Sequence, residues 1–292
     1  MARVLIGTTD GLSAVGEPAP YLTGEVSHAA VSPQGLVAVV DAKSLWSWRG
    51  DSVGEHLVDL PQETHCVLSR GAELFVGTSE ARLLKFADGE LNFVVGFDDA
   101  PGRADWFTPW GGPPDVRSLA TSAAGDIFAG VHVGGILRSS DGETWKPTGI
   151  DIGADVHQVI VFSTSLLASS AWGLGRSLDG GDDWEFLDEG LHGSYCRAVA
   201  ASGDDVFVTA SEGPNRGRAA LYRLNDGTFE KLTGGLPEWF EGNIDTHCLE
   251  ASDDRVAFGT AEGDVYLSED SGDSFERIAR GSPVRCLLLT DQ

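Results

Sequence analysis

Two stretches decide how this chain is read: ETHCVLSRGAELFVGTSE, Glu63–Glu80, and DTHCLEASDDRVAFGTAE, Asp245–Glu262. Each runs Thr-His-Cys, a short apolar run, a turn, and a second apolar run ending in Gly-Thr. The copies stand 182 positions apart. A chain that repeats a pattern is a repeat architecture, and its period sets the fold.

With ELFVGTSE as template, six more copies appear. They are RVLIGTTDG near Gly7, GLVAVVDA near Val39, DIFAGVHVGG at Gly130, SLLASSAWG at Ser169, DVFVTASEG at Thr209 and RVAFGTAEG at Gly259. The intervals are mostly 32 to 40 residues, with two of about 50. Each copy follows another apolar run: SHAAVS, THCVLS, VRSLATS, VHQVIVF, CRAVAAS, THCLEAS or, at Val284–Leu289, VRCLLL. A third run follows, such as GILRSS, GLGRSL or DVYLSE, and often a fourth, such as WEFL or FERI. Four short strands per repeat, with Gly/Asp/Ser turns and no helical period, make one propeller blade.

The chain begins on a second strand, RVLIGTT, and ends on a first strand, VRCLLL. The last strand would complete the first blade and remove the open sheet edges. The expected fold is therefore all-β: one seven-bladed β-propeller domain over residues 1–292, with four-stranded antiparallel blades. Blade 1 is expected from about 2–25 plus 283–290.

Composition bounds the setting. The chain has 292 residues and is 41% hydrophobic, enough for a packed core. It has no apolar run of membrane-spanning length. The start, MARVLIGTTDGLSAV, enters a strand pattern without a signal-peptide apolar region, so a cytoplasmic location is expected. The formal charge is −25, and only four of the twenty basic residues are lysines. A scattered, lysine-poor acidic surface fits a halophile, since molar salt screens its self-repulsion. It also disfavours nucleic acid. The cysteines Cys66, Cys196, Cys248 and Cys286 form no C-x-x-C pair and fall in strand patterns, which suits buried thiols. Nothing in the sequence requires a cofactor, and a monomer is expected.

Three turns carry a more specific signal: SSDGETW at Ser139–Trp145, SLDGGDDW at Ser177–Trp184 and SEDSGDSF at Ser268–Phe275. They resemble Asp-box (BNR) repeats, S-x-D-x-G-x-x-W; the first is one residue short. The Asp accepts turn amides, the Gly takes a special backbone angle, and the ring packs beneath. The resemblance, strong in blades 4, 5 and 7, is to the superfamily of sialidase-like and photosystem-assembly-factor-like propellers. It implies scaffold roles for Asp141, Asp179, Asp270, Trp145, Trp184 and Phe275. Fold does not choose among that group's functions.

Near the start of each first strand stands a base: His28, His65, Arg117, His157, Arg197, His247 or Arg285. One expectation is a cationic ring at the mouth of the central channel, built for an anion. A less favoured variant holds a metal on His28, His65, His157 and His247. The alternative is structural. Glu80, Glu212 and Glu262 stand fifteen residues after His65, Arg197 and His247, with Asp41 and Asp10 similarly placed for His28 and Arg285. Base–acid pairs within a blade, like those of WD40 repeats, would then tie two strands together.

Arg117 and His157 break this pattern, because Val133, beside His132, and Trp172 occupy the matching positions. Buried cations need partners, so these adjacent blades form the best-localised candidate site. Loops holding Trp106, Phe107 and Trp110, then Trp239 and Phe240, then Arg216 and Arg218, are expected around the same mouth.

The R-I-P motif of sialidases, a Gly-rich phosphate loop, a G-x-S-x-G elbow and H-E-x-x-H are all missing. The expected function is a non-catalytic binding or scaffold propeller for a protein partner or a small anion. Its ligand-binding candidates are Arg117, His157, Trp172, Trp106, Trp110, Trp239, Arg197, His247, His65, His28 and Arg285. The alternative is a glycoside hydrolase- or lyase-like enzyme, metal-dependent in one variant, with its site at the same mouth and using His157, Arg117 and His132.

Overall fold

The computed structural model describes residues 3–17, 19–50, 54–109, 111–215 and 217–290. Strands form seven four-stranded sheets. In blade 1, Val284–Thr290 pairs with Arg3–Thr8, followed by Gly11–Ala14 and Leu22–Thr23. The first strands of blades 2 to 7 are Val26–Ser32, Thr64–Arg70, Val116–Thr121, Val156–Phe162, Tyr195–Ser202 and Leu249–Ser252. Each leads into three more strands of its own sheet. The fold is a seven-bladed β-propeller, and the C-terminal strand completes the N-terminal blade. No helix among the described residues is long and apolar enough to cross a membrane.

The chain groups into two compact units. One comprises Met1–Val26, Ala168–Arg176 and Glu185–Gln292; the other comprises Ser27–Leu167 and Ser177–Trp184. Each has its own apolar core, around Phe207, Phe258 and Phe275 in the first and Phe75, Phe97 and Trp145 in the second.

The repeated Gly-Thr has a physical cause. A Cβ at Gly77 would lie 2.6 Å from Cys66 Sγ and 2.8 Å from the Val116 carbonyl of the next blade. Gly7 meets Cys286 Sγ and the Val26 carbonyl in the same way. Only glycine admits so close a backbone approach. The following Thr or Ser closes the next turn: Thr8 Oγ1 donates to Gly11 O at 3.1 Å and Thr78 Oγ1 to Arg82 O at 3.0 Å. Such hydroxyl-to-backbone bonds fix the hairpin turn.

The three Ser-x-Asp turns close alike. Asp141 Oδ1 accepts the Glu143 and Thr144 amides at 2.8 and 2.7 Å. Ser139, Ser177 and Ser268 hydroxyls accept the amides of Gly142, Gly181 and Gly272. Trp145 and Phe275 are buried beneath them.

Candidate functional site

In four blades the base near the start of the first strand sits in a β-bulge. Thr64 pairs with Thr78 and Cys66 with Gly77, leaving His65 as the extra residue. The same shift isolates Arg117 between Val116 and Ser118, and Arg285 between Val284 and Cys286. In blade 6 the register shifts across Arg197 and Ala198. A bulge re-aims its side chain out of the ladder.

Four of the bases reach forward to the next blade. His65 Nε2 lies 3.6 Å from Asp115 Oδ1, just before the first strand of blade 4. Arg197 pairs with Asp245 before blade 7, and Arg285 with Glu25 before blade 2 at 2.8 Å. His28 Nδ1 accepts the Val67 amide of blade 3 at 3.0 Å. Three of the carboxylates expected as partners within a blade make other contacts. Glu212 pairs with Arg218 at 2.8 Å, Glu262 accepts the Gly242 amide, and Asp10 accepts the Ser282 hydroxyl. Glu80 offers its backbone carbonyl to Arg103, and Asp41 holds a left-handed turn position. His247 also adopts positive φ, and its carbonyl accepts the Leu287 amide at 2.9 Å.

Blades 4 and 5 carry the densest cluster. Asp115 takes Arg117 of its own blade at 3.4 Å as well as His65. Burial raises the Asp115 carboxyl, but His65 and Arg117 outweigh it and keep the group below the usual range. The Asp115 carbonyl accepts the His132 amide at 2.9 Å, which sets the turn after the second strand, Ile127–Val131. In that turn Val133 has φ +58°, an unusual conformation for a β-branched residue.

Across the turn, Asp155 ends the short 3-10 helix Ile152–Ala154, also at positive φ. Its Oδ1 lies 2.7 Å from His132 Nε2, and its Oδ2 lies 3.7 Å from His157 Nε2. The two imidazole centroids are 5.7 Å apart. His132 is 2% exposed and His157 1%. Burial raises the Asp155 carboxyl, but the two imidazoles outweigh it and hold it far below the ordinary range. Burial pushes His132 down; Asp155 opposes this, Arg117 adds to it, and the net shift is downward. Imidazole–carboxylate contacts of this kind are groups that can move a proton or ligate a metal.

The structure thus brings Arg117, His132 and His157 together with His65. Sequence reasoning missed Asp115 and Asp155. The signal was present: an acid stands two residues before the base in Glu63/His65, Asp115/Arg117, Asp155/His157 and Asp245/His247.

The aromatic candidates separate. Trp106 packs on Phe97 at 5.9 Å between ring centroids, borders a buried core, and carries the Arg103 guanidinium on its ring. Phe107, next to it, is 49% exposed. Trp172 is 44% exposed and lies against Phe186. Trp239 meets His192 at 4.5 Å, with Arg218 and Lys231 over its ring. Lys231 belongs to the fourth strand of blade 6, Thr228–Lys231, so Trp239 sits beside that strand. Trp110 and Arg216 lie outside the described residues.

No protein-family model matches the chain, and no curated protein matches it. Solved structures do. A GH74 enzyme of Niastella koreensis is 15% identical over 93% of this chain and 46% of its own, with TM-score 0.63. An ancestral GH74 enzyme is 15% identical over 99% and 40%, with TM-score 0.65. YCF48 from Cyanidioschyzon merolae is 15% identical over 88% and 87%, with TM-score 0.62. The chain spans less than half the length of those GH74 chains. What it shares with all three is the β-propeller fold, which enzymes and non-enzymes both use.

Proposed function

We propose that this chain is a non-catalytic binding propeller whose ligand site is the cluster of Arg117, His132, Asp155 and His157. The observation that carries this reading is the convergence of two buried imidazoles on one half-buried carboxylate beside a guanidinium. Elsewhere, Arg197 and Arg285 each hold a carboxylate of the next blade. That arrangement serves the scaffold.

Of the two kinds of ligand expected, the small one fits. The groups of the cluster that solvent does reach, Arg117 at 28% and Asp155 at 19% side-chain exposure, present only a few polar atoms, which suits a small ligand better than a protein surface. Arg117 supplies a planar donor fork for a carboxylate or phosphate group. The Ser-x-Asp turns act as Asp boxes that hold the scaffold. The acidic, lysine-poor surface supports a monomer working in a salty cytoplasm.

The test is calorimetric titration of the untagged protein, in high salt, with phosphate and with acetate. Saturable binding that is lost in Arg117→Ala supports the reading. Absence of binding to the wild type, with or without divalent metal, defeats it.

A second reading, a glycoside hydrolase, rests on Asp115 and Asp155 as two carboxylates on successive blades and on the likeness to GH74 enzymes. Turnover of an aryl glycoside that vanishes in both Asp115→Asn and Asp155→Asn would establish it in place of the first.

A further inference from the structure

The anion-binding reading leaves a charge to account for. Counting the imidazoles as neutral, one guanidinium faces two carboxylates, Asp115 and Asp155, and Arg117 already pairs with the first. The cluster by itself is net negative and poorly suited to an anion. A cation beside Asp155 would reverse that sign.

We propose that His132, Asp155 and His157 form a site for a divalent first-row transition metal, Zn²⁺ before others, and that this ion anchors the anionic ligand. The inference rests on the binding role assigned to the cluster. The three side chains each offer one ligand atom, and these atoms lie within 4.8 Å of one another. Tetrahedral zinc, with bonds of about 2.0–2.1 Å, sets its ligand atoms roughly 3.3 Å apart. The spacings of 2.7 Å from His132 Nε2 and 3.7 Å from His157 Nε2 to the carboxylate straddle that value. All three ligand atoms lie within 4.8 Å of one another, so side-chain movements of up to about an ångström bring them onto one ion.

Two imidazoles and one carboxylate select a borderline metal over Mg²⁺ or Ca²⁺, which demand oxygen ligands. Three protein ligands leave a fourth position for water or an anion. Arg117, whose charge is felt at His132, places a guanidinium on the side of that anion, while Asp115 neutralises its charge toward the metal.

The backbone holds the geometry. Asp155 and Val133 both occupy left-handed conformations. The amide bond from His132 to the Asp115 carbonyl fixes the turn that carries the first ligand. Strain of this kind collects where a structure fixes a ligand site.

The experiment is titration of the chelator-stripped, untagged full chain with ZnCl₂, followed by calorimetry and equilibrium dialysis. One ion per chain is expected. Asp155→Asn and His132→Gln should each weaken binding at least about tenfold, whereas His192→Gln, beside Trp239 in another blade, should leave it unchanged. Affinity should fall from pH 7 to pH 5, because the imidazoles bind metal only when neutral. Absence of saturable binding by the wild type, or equal affinity in Asp155→Asn, overturns the proposal. If the variants fail to fold, the wild type decides alone. Co²⁺ must then give visible d–d absorption that one equivalent of Zn²⁺ abolishes, and no such absorption overturns the site. Phosphate binding that requires Arg117 but is indifferent to chelator also overturns the metal, while leaving the binding role of the cluster intact.

Discussion

Oδ1 of Asp155 lies 2.7 Å from Nε2 of His132, joining the approach to blade 5 to a turn of blade 4. Asp155 is held below its unfolded value, so its stabilisation is present above about pH 4 and is lost as pH falls further. His132 is also depressed, so protonation costs stability as pH falls below about 6.5. Both effects favour the folded state at neutral pH and weaken it in acid. Asp155→Asn should cost roughly 1–3 kcal/mol at pH 7, because it removes the charge from a half-buried carboxylate that contacts an imidazole. It should also flatten the acid limb below about pH 4. Urea unfolding of both proteins from pH 7 to pH 3 checks this, and an acid limb of unchanged steepness in the variant contradicts it.

Arg197 and Asp245 join successive blades, but Asp245's side chain is 48% exposed. Solvent screens such a pair. A double-mutant cycle on Arg197→Ala and Asp245→Ala should give a coupling of about 0.5–1 kcal/mol. In roughly 1 M salt, where the Debye length is about 3 Å, the coupling should shrink.

The Ser-x-Asp turns predict low carboxyl titrations without burial. Asp270 accepts from the Ser274 and Ser268 hydroxyls and from the Ser274 amide, which hold it at about 2. Asp141, bonded to the Thr144 and Glu143 amides, is held lower still. Carbon-13 titration should find the Asp270 midpoint near 2 and Asp141 beneath it. Ordinary values for either would mean these turns are not closed by their carboxylates in solution.

Gly77→Ala should destabilise by about 1–3 kcal/mol, the usual cost of overpacking, because the Val116 carbonyl 2.8 Å from the added carbon is backbone and cannot swing aside. Gly71→Ala is the comparison. Its site is open and only its φ of +62° is costly, so it should lose about 1 kcal/mol or less. Denaturant unfolding of the two variants ranks them, and the reverse order would refute the close-approach account of the Gly-Thr repeat.

The blades were legible because their causes are local. A glycine beneath the next strand, a hydroxyl closing a turn and an Asp gathering amides all act within a few residues, so each recurs at a fixed spacing. The base near the start of each first strand was legible for the same reason. Its partner was not. The bulge sends His65 to Asp115, fifty residues on, and a separation of fifteen residues pointed to Glu80 instead. Asp155 was hidden because its role depends on His132, which arrives from a different turn. Trp239 looked like a loop aromatic, yet it lies beside the fourth strand of blade 6 with Lys231 over its ring. Only tertiary structure decides which of two exposed ends a long loop covers.

The claim that the blade 4–5 cluster binds a ligand is tested most directly by thermal unfolding in high salt with saturating Zn²⁺ and acetate, wild type beside Arg117→Ala. Ligand at about a hundred times its dissociation constant stabilises by about 2.7 kcal/mol, which for a chain of this size raises the midpoint by roughly 5 °C. The account predicts that rise in the wild type and a clearly smaller one in Arg117→Ala. An unmoved wild-type midpoint, or an equal rise in both proteins, would contradict it.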